Sequence, residues 1–171
     1  MDHPPGGHDG PYDAPIITAR QTVLPDWIDY NGHMNVAYYT LALDRAMDDL
    51  FDTHLGIGEA LAREARMGPY ALQAHVHYRA ELLEGDVFHG RITLLDHDAK
   101  RVHVHVELVR DRDGTVAFTG EKVAMNVDLE ARRPAPYPEW AEARLARMRA
   151  DHAGLPRSRF IGAPIGLRRK S

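Results

Sequence analysis

Seven residues, Asp29-Tyr30-Asn31-Gly32-His33-Met34-Asn35, hold a carboxylate, two carboxamides, an imidazole and a glycine turn. A carboxylate can serve as nucleophile or general base, and an imidazole titrates near neutrality. Directly after the run comes a helical pattern, whose amino end carries unpaired N–H groups and a dipole that favours negative charge. A carboxylate just upstream of such groups reads as an active site, with the amides around Gly32, Asn35 and Val36 as the electropositive partner. Each residue also has a plainer use. Asp29 can begin a turn that Asn31-Gly32 completes, His33 can brace the loop, and Asn35 can cap the helix.

The elements that must position these groups follow from periodicity. Val36 to Asp52 predicts one amphipathic helix, with Val36, Tyr39, Leu43, Met47 and Leu50 along its apolar stripe. Leu55-Gly56-Ile57-Gly58 predicts a stop, and Glu59 to Arg66 a short second helix. Upstream, Ile16 to Leu24 predicts a first strand. From Tyr70 the period becomes two, with Leu72, Ala74, Val76 and Tyr78 facing opposite to Gln73, His75, His77 and Arg79. Strands are predicted at Val87 to Leu95, Val102 to Leu108 and Thr115 to Asp128, joined by tight turns that imply antiparallel pairing. In the last strand the apolar parity changes across Gly120, which predicts a bulge there. Pro138 suits the first turn of a closing helix that runs to about Asp151.

Composition narrows the function classes. The 171 residues predict one domain over 16–152, preceded by a disordered lead, 1–15, rich in proline and glycine. Residues 153–171 form a basic tail, either on the surface or docked on a partner subunit. The net charge of −4, from 21 basic and 25 acidic residues, gives no sign of a nucleic-acid partner. The chain has no cysteine, hence no thiolate nucleophile or thiolate metal site. No apolar stretch approaches membrane-spanning length, and no signal peptide is evident, so the expectation is a cytoplasmic protein without a membrane partner.

A strand, an aspartate-bearing loop, a long helix and four antiparallel strands is an order that resembles the hotdog-fold acyl-CoA thioesterases. The motif from Asp29 to Asn35 is similar to the D-x-x-G/Q-H-x-N signature of their 4-hydroxybenzoyl-CoA thioesterase-like group, and Glu84-Gly85-Asp86 resembles that group's G-D turn. The likeness spans about Gln21 to Asp128. The run Pro25 to Met34 further resembles thioesterases of carnitine and betaine catabolism. The resemblance implies an α+β hotdog fold: a five-stranded antiparallel sheet wrapped around one long central helix, with a C-terminal helix added here. It implies hydrolysis of an acyl-CoA to a carboxylate and free CoA, with Asp29 as base or nucleophile and Asn31 and His33 in support. No metal or organic cofactor is implied. A homodimer or homotetramer, with sites near the subunit interface, is.

If the acyl group carries a trimethylammonium, as in betainyl-CoA, the aromatic faces of Trp27, Tyr30 and Tyr38 would attract it; otherwise these rings close the core. Arg79 and Arg101 are the family-layout candidates for the CoA phosphates, along with Lys100, Arg132 and Arg133; each is also an ordinary surface charge. Two rival readings stand beside the hydrolase. His75-x-His77 with Glu81 partly resembles a cupin metal motif, implying a metal-dependent β-barrel enzyme, although the long helix fits a jelly roll poorly. A non-catalytic acyl-CoA-binding hotdog module is the other.

Overall fold

A computed structural model of the chain describes residues 3–167. Its longest helix, α1 (Val36–Asp49), begins where Asn35 takes an extended conformation and its side chain accepts from the Ala37 amide. That cap satisfies one of the donors a first turn leaves open, worth about 1 kcal/mol. Tyr39, Ala42, Leu43, Ala46 and Met47 form the buried stripe. Each large side chain among them contributes roughly 1.5–3 kcal/mol by leaving water. The predicted helix continued to Asp52 as ordinary α-helix. Instead Leu50–Leu55 widens into a π-helical turn, which lets the adjacent Leu50 and Phe51 both turn inward with Leu55. Gly56, in the left-handed region at φ 72°, ends it. A short helix α2 (Glu59–Ala65) follows.

The predicted first strand is broken into β1 (Ile16–Ile17) and β2 (Gln21–Thr22). Both pair with the same edge of β4 (Val87–His97), so they act as one interrupted strand. The remaining strands are β3 (Met67–Tyr78), β5 (Arg101–Arg110), β6 (Val116–Asp128) and the two-residue β7 (Arg133–Pro134). Pairing is antiparallel throughout, in the order β1-β4-β5-β6-β3, with β2 on β4 and β7 on β6. The sheet curls over α1, burying Phe88, Ile92, Val104, Val106, Leu108 and Phe118 against it.

No irregularity occurs at Gly120, which pairs in register with Val76 and Val106. The shifts fall at Leu72 and near Ala117 instead. The parity change has another origin. Val123 lies on the outer face, where residues 162–165 approach it across a shared cleft, so that face needs apolar cover too.

The expected disordered lead is corrected over its described part. Tyr12 is buried, and its amide donates to Asp151 in the closing helix α3 (Glu139–His152). Arg144, also buried, donates to the Gly6 and Leu55 carbonyls and pairs with Asp9. The reason is that this arginine, facing inward from α3, needs oxygen partners that the lead supplies. The tail also packs. Gly162 donates its amide to Glu121, and the Phe160 ring lies 4.8 Å from His77 and 4.3 Å from the Arg79 guanidinium. Residues 168–171, which carry three of the tail's basic side chains, lie outside the described residues.

Candidate active site

The motif forms a small hairpin set against the amino end of α1. Ile28 and Met34 pair across it. Inside, the Asp29 amide donates to the His33 carbonyl at 3.1 Å, and the Gly32 amide donates to the Asp29 carbonyl at 2.9 Å. Gly32 has φ +80°, with nothing within 4 Å of an added Cβ, so backbone conformation rather than space asks for glycine. Two anchors fix the hairpin. Met34 is fully buried, with its amide donating to the Leu82 carbonyl at 2.8 Å, and the Asn35 amide donates to the Trp27 carbonyl at 2.9 Å.

Within this frame the Asp29 carboxylate is held at both oxygens. Oδ1 accepts from the Asn31 amide at 2.8 Å, and Oδ2 faces the Asn35 Nδ2 donor at 3.4 Å. The same Asn35 side chain accepts from the Ala37 amide at 3.0 Å. Carboxylate and helix end are therefore one side chain apart. Of the amides expected to meet an oxyanion, Gly32 and Asn35 are already engaged, because hairpin closure and the Trp27 anchor use them. Val36 N–H has no partner among the described residues and stands on an exposed residue. Asn31 acts on Asp29 through its backbone, and its side chain is exposed. His33 turns Nδ1 toward the Met34 carbonyl at 3.2 Å, the bracing contact of a loop.

Trp27 is buried, stacked on Tyr38 at 5.2 Å between ring centres, with the Arg45 guanidinium 5.4 Å from its ring. A cation already occupies that ring. Tyr30, by contrast, is 97% exposed. Arg79 lies at the motif's end of the sheet, one residue beyond β3, under Phe160. Arg101 is at the other end. Seven residue steps along β5 separate it from Leu108, about 23 Å of strand, and it forms a two-point pair with Asp98. The structure thus gathers Asp29, Asn31, His33, Asn35, Val36, Trp27 and Tyr38, and leaves Arg101 apart.

Tyr39 and Leu82 were not among the sequence candidates, yet they seat the site. The Tyr39 hydroxyl donates to the Ala80 carbonyl and accepts from the Leu82 amide at 3.0 Å. Burial raises its pKa above the ordinary phenol value, keeping the donor proton in place. Its signal in the sequence was only a place in the apolar stripe. The histidines of the rival metal reading lie around Glu121, which registers opposite His75 and His105 in the sheet. His103 pairs with Glu121 at 2.7 Å, and His75 lies against His77 at 4.7 Å. Among the described residues no group of three or more His, Cys, Asp or Glu is disposed to hold a metal ion. No helix among them is long and apolar enough to cross a membrane.

Comparison with known proteins covers most of the chain. The model of the thioesterase-like superfamily matches residues 23–145. The betainyl-CoA thioesterase of Pseudomonas aeruginosa is 33% identical over 153 residues, covering 89% of this chain and 96% of that one. A Staphylococcus aureus hypothetical protein, solved in complex with CoA, superposes with a TM-score of 0.81 at 26% identity, over 93% of this chain and 100% of that one. A Pseudomonas putida chain described as a candidate thioesterase gives 0.78 at 31% identity, over 91% and 98%.

Proposed function

The chain belongs to the thioesterase-like superfamily and is a thioester hydrolase acting on acyl-CoA, and from that premise we propose that Asp29 carries the reaction at the amino end of α1. The observation that supports this is a carboxylate held at both oxygens, one side chain away from the helix end that Val36 opens. As a base, Asp29 takes a proton from water while the water oxygen attacks the thioester carbon. The tetrahedral oxyanion then meets the Val36 amide and the helix dipole, donors worth about 10²–10³ in rate when well placed. Collapse breaks the carbon–sulfur bond, and the CoA thiolate takes the proton. As a nucleophile, Asp29 bonds to the acyl carbon while the carbon–sulfur bond breaks and the CoA thiolate leaves; water then cleaves the resulting anhydride, freeing the acid, restoring the Asp29 carboxylate and supplying the thiol's proton. Both routes use the same geometry.

For the acyl group we propose betaine or another short polar acid, supported by the kinship to the Pseudomonas aeruginosa enzyme. Tyr30 and Tyr38 are the rings available to a trimethylammonium, since Arg45 already lies over Trp27. Tyr30, Asn31 and Val36 around the site are exposed, and among the described residues the twelve-residue strand β3 has one edge unpaired. A second copy paired along that edge would cover it and wall the site. A homodimer in the cytoplasm is therefore the proposed form, with residues 16–152 as the catalytic unit and Arg79 near the CoA entrance.

The test is release of free thiol from a panel of acyl-CoAs, betainyl-CoA included, by wild type and Asp29→Asn. Loss of about 10³-fold or more in kcat/KM, with an unchanged unfolding midpoint, is expected. Unaltered turnover in the variant would remove Asp29 from the reaction.

A further inference from the structure

We infer that Asn35 is a positioning residue for the hydrolysis: one carboxamide that ties the orientation of the Asp29 carboxylate to the amino end of α1. The inference rests on the reading of Asp29 given above and concerns what holds that group in place.

A helix cap needs only an acceptor. Serine, aspartate and asparagine supply one about equally well. Asn35 does more. Its Oδ1 accepts from Ala37 N at 3.0 Å, while its Nδ2 points to Asp29 Oδ2 at 3.4 Å. The opposite orientation of the carboxamide would set carbonyl against carboxylate and NH₂ against N–H, so one orientation alone serves both contacts. The backbone of Asn35 cannot drift either. Its amide is bonded to the Trp27 carbonyl, and the Trp27 ring stacks on Tyr38 in the first turn of α1. Asn35 thus sits inside a clamp between the loop before the motif and the helix after it. With Asn31 N on Oδ1, the carboxylate is held by one donor on each oxygen and keeps lone pairs for a water or an acyl carbon. The polar donor of Asn35 has no use in capping. Its use is to aim Asp29.

Two variants separate aiming from capping. Asn35→Asp keeps an acceptor and adds a negative charge that a helix amino end favours, but it replaces the donor with a second carboxylate beside Asp29. Asn35→Ser keeps the cap and is too short to reach Asp29. Both are assayed as full chains by thiol release, across pH, next to Asp29→Asn. Expected for Asn35→Asp is an unfolding midpoint close to wild type, kcat lowered tenfold or more, and an acidic limb of kcat/KM moved about one unit to higher pH, because two adjacent carboxylates resist ionising together. Expected for Asn35→Ser is kcat lowered severalfold with KM within about twofold. Wild-type kcat in both variants, or a loss of activity that merely follows a loss of stability, would overturn the inference. If Asp29→Asn itself remains active, the reading of Asp29 fails instead, and the two failures are told apart.

Discussion

Leu43 of the central helix lies directly over Gly120 of β6: a Cβ built on Gly120 would stand 2.9 Å from Leu43 Cδ2 and 3.0 Å from Cδ1. The buried Leu43 side chain takes the room that a side chain at 120 would need. Gly120→Ala must push Leu43 off its place or lift α1 from β6, and overpacking of this kind costs about 1–3 kcal/mol. Urea unfolding should show that loss. Combined with Leu43→Val, which removes bulk at the contact, the two changes should cost less than their sum. Additive costs would mean the close approach carries no strain.

That pair also shows what a sequence can and cannot tell. The change of parity at Gly120 is visible in the sequence, but both a bulge and a close helix approach produce a glycine between two phases. Only the partner, 77 positions away, distinguishes them. The Asp29 hairpin and the Asn35 cap were legible because their bonds close within seven residues. Arg45 over Trp27, Tyr39 bonded to Leu82, and Phe160 over Arg79 were not, since each joins segments distant in the chain. The described part of the lead, 3–15, misled for the same reason. Its composition is that of disordered chain, and the arginine that orders it is at position 144.

The free edge of β3 gives the second prediction. Tyr70 and Leu72 on that strand are about half exposed, more apolar surface than an edge left in water usually carries. Sedimentation of the wild type should show a dimer. Leu72→Lys, which sets a charge where the second copy would pair, should give monomer and lose thioesterase activity in step. A wild-type chain that sediments as a monomer and is fully active would refute the paired edge.

The third prediction concerns His152, the last residue of α3, where a helix dipole would ordinarily favour a cation. The structure places it otherwise. The ring is buried, Nδ1 accepts from the Leu94 amide at 2.9 Å, and Nε2 donates to the Asp13 carbonyl at 2.8 Å. Both contacts need the neutral ring with its proton on Nε2, so protonation of Nδ1 would break one of the bonds between α3 and β4, leaving those of Arg149 to Leu95 and Asp96. Burial, the largest cause, holds the His152 pKa below its ordinary value. His105 and His54 are lowered as well, again mainly by burial. A histidine with a depressed folded-state pKa binds fewer protons folded than unfolded in the window below about 6.5. Its contribution is therefore complete above that pH and falls away as pH drops toward the folded value. Depressed carboxylates such as Asp111 and Asp151 act with the same sign but near pH 4, and Asp48, raised mainly by burial, acts with the opposite sign, so the imidazoles are the groups that lower stability across the interval from about 7 to about 5.5. The urea midpoint should thus fall across that interval. His152→Gln, whose carboxamide can offer one acceptor and one donor without titrating, should flatten part of the fall. An identical slope in wild type and variant would show that His152 is not among the groups that take up the proton on unfolding.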